Sequence, residues 1–263
     1  MTTETSSDLA DRLEPGAGVI NRVAEVTLAF WIMKILATTL GETAGDYLSM
    51  TLNLGYYISF AITFALLGLV LLGKVRANGF HPVLFWVAIV ATTTAGTEVS
   101  DMMDRSLGLG YLWGSVLLVA GLIVTLLVWK RRHGSLSVDP ILSRPVEILF
   151  WIAVIFSNSL GTAFGDFLTD NLSLSYLQGA FVTAAVIGIV LALHYATRIN
   201  AVLLFWLAFV FTRPFGATFG DFLTKPLVDG GLNMPREWAS LVTLAALGAV
   251  LAFSMYRTSR TDR

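Results

Sequence analysis

Four apolar segments of the sequence each carry the same acidic motif. It reads LGETAGDYL at 40–48, AGTEVSDMM at 95–103, LGTAFGDFL at 160–168 and FGATFGDFL at 215–223. In each copy an aspartate follows two small residues spaced four apart. An ionisable group inside an apolar segment is costly unless it is paired, solvated or bound to a metal. The repetition therefore predicts one cation-binding, coupling or metal site built from Asp46, Asp101, Asp166 and Asp221.

Three further acidic residues accompany the first two motifs, namely Glu42, Glu98 and Asp104. Residues three or four apart share a helix face, so Glu42 is expected beside its aspartate, and Glu98 and Asp104 in a stripe with theirs. Clustered carboxylates bind hard cations such as Mg²⁺, Mn²⁺ or Ca²⁺, or exchange protons when like charges raise one pKa. The structural alternative is that each aspartate caps the segment that follows.

Two basic residues also lie inside apolar segments and could offset the negative charge of the acids. Lys34 follows the first motif tryptophan by three residues. Arg213 stands where the other repeats have Thr38, Thr93 and Asn158. In the structural interpretation each base pairs with a repeat carboxylate. In the functional one they form a gate, or an internal cation that competes for the aspartates.

The composition indicates a membrane protein. The chain has 263 residues, of which 56% are hydrophobic and 13% charged, with a mean hydropathy of +0.74. Several windows of about 20 residues are nearly free of charge, which is the length that crosses a bilayer as a helix. There are no cysteines, so disulfides and Cys-ligated metals are excluded. The net charge of −1 gives no sign of nucleic-acid binding, and no phosphate loop, nucleophile elbow or zinc helix indicates an enzyme.

A tryptophan precedes each motif aspartate by the same interval of 15 residues, at positions 31, 86, 151 and 206. The steps between tryptophans are 55, 65 and 55 residues, so repeats one and two map onto repeats three and four with a shift of 120. At the rise of an α-helix, each tryptophan lies roughly 22 Å from its aspartate. We therefore expect the tryptophans at one membrane face, as interface anchors or packing residues, and the aspartates at the other.

The repeats predict an all-α membrane protein with eight transmembrane helices, arranged as four tandem helical hairpins of parallel orientation with pseudo-symmetry. The spans are placed at 23–44, 53–73, 82–103, 110–129, 146–166, 177–197, 201–222 and 237–256. Residues 23–256 form a single membrane domain, with repeats at about 23–77, 78–133, 143–197 and 198–256. Residues 1–22 form a polar cytoplasmic tail without the pattern of a signal peptide, and 257–263 form a second tail.

The distribution of basic residues predicts the orientation. Apart from Lys34 and Arg213, most Lys and Arg residues fall on the side that holds both termini. The opposite side has only Arg105, Lys225 and Arg236. By the positive-inside rule both termini face the cytoplasm, as expected of a multi-pass protein in the cytoplasmic (inner) membrane.

The four W…G-D-[FY]-L repeats resemble a bacterial membrane-protein family built from four tandem two-span repeats, each with a characteristic tryptophan and of unknown function. The resemblance covers residues 22–256 and implies eight spans without implying an activity. GETAGD at 41–46 is also similar to the Glu-x-Gly-Asp motifs of manganese and calcium exporters, although it has one residue more.

These observations predict a gradient-driven transporter of a small cation, such as manganese or another divalent ion, with no permanently bound cofactor. Two alternatives remain: a carrier of a small organic or anionic solute that uses Lys34 and Arg213, and a non-transporting scaffold or sensor. The expected partners are membrane lipid and the cation. A homo-oligomer is also compatible with the sequence.

Overall fold

The computed structural model describes residues 21–138 and 140–261, and within these ranges the chain is helical and has no β-strand. The fold class predicted from the repeats is confirmed to that extent, because each repeat supplies two long helices. The eight long helices of the described ranges are α1 Leu28–Asp46, α2 Gly55–Arg76, α3 Pro82–Asp101, α4 Gly110–His133, α5 Arg144–Asp166, α6 Tyr176–Ala196, α7 Ala201–Thr224 and α8 Arg236–Thr261.

The predicted boundaries differ most at the two ends of the chain. Helix α1 begins at Leu28 rather than at residue 23, because the side chain of Thr27 accepts a hydrogen bond from the Phe30 amide and caps the helix there. Helix α8 continues to Thr261 rather than stopping at 256, and Arg260 lies 4.8 Å from the ring of Tyr256 along it. Residues 1–20 and 262–263 of the predicted tails lie outside the described residues.

Helices α1, α3, α5 and α7, the first helix of each repeat, form a closed inner ring. Each packs against the next in chain order, and α7 returns to pack against α1. The four second helices, α2, α4, α6 and α8, lie outside this ring and expose large apolar side chains such as Leu69, Trp113 and Phe181. The motif residues therefore lie on the helices that enclose the molecular axis.

The sequence predicts that the two helices of a repeat form a packed hairpin, but in the structure they do not. Instead, each outer helix packs mainly on the inner helix of the following repeat: α2 on α3, α4 on α5, α6 on α7, and α8 back on α1. The prediction of hairpin units was therefore wrong in its pairing, although the four-repeat order and pseudo-symmetry hold. The physical reason lies in the small residues of the motif, which join one inner helix to the next.

The first glycine of each motif makes these contacts. A Cβ added at Gly41 would lie 2.2 Å from the Thr93 hydroxyl oxygen and 2.9 Å from the Thr93 backbone carbonyl carbon. The corresponding glycine of every other repeat has the same relation to the following repeat, because Gly96 meets Asn158, Gly161 meets Arg213 and Gly216 meets Thr38. Small residues allow helix backbones to approach closely within a membrane. The motif glycines thus close the ring.

An aromatic collar fills the ring at the end where the inner helices begin, which we call the tryptophan end. Its Phe–Trp pairs link consecutive repeats, with ring centroids 5.6 Å apart for Phe30–Trp86 and Phe85–Trp151, 6.5 Å for Phe150–Trp206 and 5.7 Å for Phe205–Trp31. Most of these side chains are buried. The tryptophans are thus packing residues, one of the two predicted roles.

Seven helices, α2 to α8, are long and apolar enough to cross a membrane. Helix α1 is not among them, since its 19 residues include Lys34, Glu42 and Asp46. All three of these side chains are buried inside the ring. The molecule is therefore a helical membrane protein whose least apolar helix buries its charged side chains against other helices.

Candidate functional site: an ionic layer and a polar column

The four motif aspartates lie at the last residues of α1, α3 and α5 and near the end of α7, at the end of the ring opposite the collar. We call this the aspartate end. Their side chains are buried, with at most 4% of each residue exposed. After the first three aspartates the chain continues into a short π-helical turn, at Tyr47–Thr51, Met102–Ser106 and Phe167–Asn171. None of these three aspartates caps that turn through its side chain, so the capping interpretation is wrong there.

Arg105 joins the aspartates of repeats two and three. It follows Asp101 by one helical turn, and its Nε lies 3.0 Å from Asp101 Oδ1. Its Nη2 lies 3.4 Å from Asp166 Oδ2 on the neighbouring inner helix. One guanidinium therefore compensates two buried carboxylates.

Lys225 makes the equivalent bridge between repeats four and one. Its Nζ lies 3.1 Å from both Asp221 Oδ1 and Asp46 Oδ2. Arg236 adds a contact of 3.4 Å from its Nε to the same oxygen of Asp46. Burial by itself lowers the pKa of Lys225, but Asp221 and Asp46 outweigh that effect and raise the pKa above its ordinary value. Lys225 therefore keeps its charge at neutral pH.

The two bridges are related by the internal shift of 120 residues, which takes Asp101 and Arg105 onto Asp221 and Lys225. In both, a base four residues after its own aspartate reaches the aspartate of the next repeat around the ring. We call this arrangement the ionic layer. Both bases were predicted to lie in loops, although a base four residues after the aspartate, as in repeats two and four, indicates a contact on one helix face.

The ionic layer consists of two aspartate pairs, each bridged by one base, rather than one centre of four carboxylates. Within residues 21–138 and 140–261, no three His, Asp or Glu side chains are grouped so that they could hold a metal ion. A cation that bound the predicted aspartate set would have to replace Arg105 or Lys225. The chemistry available here is thus competition between an internal base and an incoming cation.

A polar column continues from the ionic layer along the inside of the ring. Arg213 of α7 is fully buried. Its Nη2 donates to Glu42 Oε2 of α1 at 2.8 Å and to Thr97 Oγ1 of α3 at 2.6 Å. Its Nε and Nη1 have no hydrogen-bond partner in the described part of the chain. The predicted structural role of Arg213, as partner of a repeat carboxylate, is supported by this contact.

Lys34 ends the column on the side of the collar. Its ammonium group donates to Asn158 Oδ1 at 3.0 Å and lies 4.1 Å from the centre of the Phe209 ring. The Asn158 amide in turn donates to Thr92 Oγ1 at 3.0 Å. No carboxylate of the described residues pairs with Lys34, so the predicted ion pair is wrong for this base. Lys34 is twelve residues before Asp46, or about 18 Å along the helix, which sets the length of the column.

The three acids predicted as a stripe on α3 do not act together. Asp101 pairs with Arg105, whereas Asp104 accepts a hydrogen bond from Ser100 at 3.2 Å. Glu98 is fully buried, and neither of its oxygens has a hydrogen-bond partner among the described residues. Asp104 departs from the stripe because it lies in the π-helical turn after Asp101, where the periodicity of the side chains changes.

A second buried ion group lies at the tryptophan end. Glu147 on α5 accepts a hydrogen bond from the Lys74 ammonium at 2.7 Å and is also paired with the Arg22 guanidinium. Arg22 donates further to the Val75 and Ala77 carbonyls at 2.9 and 3.1 Å. This group ties the segment before α1 to α2 and α5, and none of its three charged residues was among the predicted site residues.

Replacing Glu147 with Gln should destabilise the protein by about 3 kcal/mol, because two buried cations would lose their common partner. The measurement is the midpoint of thermal unfolding in detergent, which should fall clearly. The matched control is Glu237→Gln, which alters an exposed glutamate on α8. Equal midpoints for the two variants would contradict the assigned role of Glu147.

The ring of inner helices, the apolar outer helices and the four copies of one motif define a helical membrane protein built from tandem repeats. The sequence matches the family described as Repeat of Unknown Function (DUF347) in four segments, 29–80, 84–135, 149–200 and 204–261. These segments cover most of the chain, and the protein belongs to this family. Comparisons with curated proteins and with solved structures gave no match.

Proposed function

We propose that the protein is a secondary transporter of a small cation, with a divalent ion such as Mn²⁺ as the first to test. The observation that carries the proposal is the column of buried ionisable side chains, Glu42, Glu98, Arg213 and Lys34, inside a closed ring of helices. Ionisable residues inside a membrane domain typically mark the path of an ion. A purely structural ring would be more stable with apolar residues there.

The distribution of groups along the axis supports a carrier rather than an open pore. The ionic layer occupies one end, and the aromatic collar fills the other. A path with an ionic entrance and an apolar closure at the far end corresponds to one state of alternating access. The other state requires the inner helices to separate at the collar.

In this proposal Arg105 and Lys225 act as internal substitutes for the transported cation. Each holds two aspartates together while no cation is bound. An arriving divalent ion displaces the base, and the base returns when the ion leaves. This keeps the buried carboxylates neutralised throughout the cycle, which lowers the electrostatic cost of an empty carrier.

The proposal includes a topology. All eight helices cross the inner membrane, with α1 inserted as the eighth span and as a member of the inner ring, and both termini lie in the cytoplasm. The ionic layer then faces the outside. The energy source is an ion gradient or the membrane potential.

The test is uptake of Mn²⁺ into liposomes that contain the purified protein and an enclosed metal-sensitive dye. Asp46→Asn and Asp166→Asn should each lower the uptake rate at least tenfold, because each removes one carboxylate of a bridged aspartate pair. The control is Asp229→Asn, an exposed aspartate near the same end of the ring. If Mn²⁺, Mg²⁺ and Ca²⁺ all fail to enter with wild-type protein, the proposal is overturned.

The experiment also separates this proposal from the scaffold or sensor hypothesis. In that case the aspartate variants should lose thermal stability, and no cation should stabilise the wild-type protein. Measuring the unfolding midpoint with and without Mn²⁺ for each variant distinguishes the two.

One observation favours a second function, transport of a small organic or anionic solute. Arg213 is fully buried with two nitrogen atoms unpartnered among the described residues. Lys34 is close enough for the two positive charges to repel each other. Together they could hold a carboxylate or another anion. For this function, Lys34→Met should abolish solute uptake and leave Mn²⁺ uptake unchanged.

A further inference from the structure

Glu98 is the acid of the polar column that no base compensates. It is fully buried in α3, and neither carboxyl oxygen accepts a hydrogen bond from the described residues. Opposite it lies Gly45 of α1, where an added Cβ would be 3.5 Å from Glu98 Oε1. A carboxylate ion in such surroundings is very unfavourable, whereas the neutral acid is tolerated.

The charged groups that approach Glu98 from α1 are themselves acids. They are Asp46, which is paired with Lys225 and Arg236, and Glu42, which accepts from Arg213. Arg236 is the base that α8 contributes, and it is already engaged. Repulsion from these two acids, like burial, therefore disfavours the ionised form of Glu98.

The other helices that pack on α3 provide no free base. The α2 residues Lys74 and Arg76 lie at the tryptophan end, where Lys74 pairs with Glu147 of α5. Asp166 of α5 and Asp101 of α3 are both held by Arg105. At the aspartate end α2 contributes the half-buried phenol of Tyr56 and no charge. Arg213 of α7 reaches α3 beside Glu98, but it donates to Thr97 and Glu42 and not to Glu98. Glu98 is thus surrounded by acids and by bases that bond to other groups.

The internal repeats indicate that the ring does not need an acid at this position. The equivalent residues, 12 after each tryptophan, are Thr43, Ala163 and Thr218. The hydroxyls of both threonines bond to their own helix, at 3.3 Å to the Leu40 carbonyl and 2.9 Å to the Pro214 carbonyl. Only repeat two carries an ionisable group there, so packing does not account for it.

We propose that Glu98 binds the proton that this transporter exchanges for its cation. The inference rests on the proposed function and adds the coupling ion. A proton needs no space around a fully buried carboxyl group, whereas a metal ion does.

One proton leaves Glu98 for each cation that binds, so a divalent ion adds one net positive charge to the site. When a cation reaches Glu42 and Asp46 beside it, the O–H bond of Glu98 breaks and the proton leaves to water at the aspartate end. The resulting carboxylate is compensated by the cation. When the cation departs, Glu98 takes up a proton again.

The first experiment is infrared spectroscopy of the full chain in lipid at neutral pH. Wild-type protein should show the carbonyl stretch of a buried carboxylic acid, and Glu98→Gln should lose that band, whereas the exposed control Asp229→Asn should keep it. Identical spectra for wild type and Glu98→Gln would overturn the inference. If the Gln variant does not fold, Glu98→Thr, which copies Thr218, serves in its place.

The second experiment measures proton release when Mn²⁺ is added to weakly buffered protein with a pH indicator. Wild type should release close to one proton per bound ion, and Glu98→Gln should bind Mn²⁺ with that release lost. Mn²⁺ uptake together with identical infrared spectra would overturn this inference alone. The infrared band without any cation response would overturn the proposed function and the exchange with it.

Discussion

Arg213→Thr should be the most damaging single replacement in the inner ring, with a loss of about 3–5 kcal/mol, because it leaves Glu42 buried without its ion pair. The contact at stake is 2.8 Å long and joins α7 to α1, with the arginine fully buried. The unfolding midpoint in detergent should fall sharply. Arg131→Thr, an exposed site at the end of α4, should change it little.

The internal repeats indicate a second substitution that should compensate for Arg213→Thr. In repeat two the positions of Arg213 and Glu42 are occupied by Thr93 and Thr97. The double variant Arg213→Thr with Glu42→Thr should therefore recover most of the lost stability, since both charges are removed together. A double variant that is as unstable as the sum of the single ones would show that the two side chains do not act as a pair.

Gly41→Ala should destabilise the protein by about 1–3 kcal/mol through overpacking, even though alanine favours helix more than glycine does. The added methyl group would lie 2.2 Å from the Thr93 hydroxyl oxygen and 2.9 Å from backbone, so α1 and α3 must move apart. Gly216→Ala should behave in the same way at the α7–α1 contact, where its Cβ would meet Thr38.

The matched controls are glycines of the outer helices. No atom lies within 4 Å of a Cβ added at Gly68 on α2 or at Gly248 on α8. Gly68→Ala and Gly248→Ala should therefore leave the unfolding midpoint unchanged or raise it slightly through helix propensity. If Gly41→Ala is as stable as these controls, the close approach of the inner helices is not needed for closing the ring.

Much of the fold could be predicted from the sequence, because the signals concerned are local. Apolar length gave the helices, and the constant interval between tryptophan and aspartate gave the repeats and the common depth of Asp46 and its equivalents. The pairing of helices could not be predicted in this way. Whether α2 packs on α1 or on α3 depends on contacts between segments far apart in the chain, and the sequence alone favoured the nearer one.

The candidate site shows the same division. The buried acids were identified from the repeats, but their partners were not, because Lys225 and Asp46 are 179 residues apart in the chain. Lys34 was predicted to pair with a carboxylate because of its positive charge, but it donates a hydrogen bond to the uncharged Asn158. Position in a repeat locates a residue in depth, whereas its partner depends on how the ring closes.

The return of the last repeat onto the first has a consequence for how the protein is made. The ion partners of α1, namely Arg213, Lys225 and Arg236, all belong to the fourth repeat, which is synthesised after the other three. Until then Glu42 and Asp46 have no base to pair with from that repeat, and α1 is the helix least suited to lipid. Insertion of α1 should therefore be delayed or reversible during synthesis, and truncation before residue 201 should leave it poorly inserted.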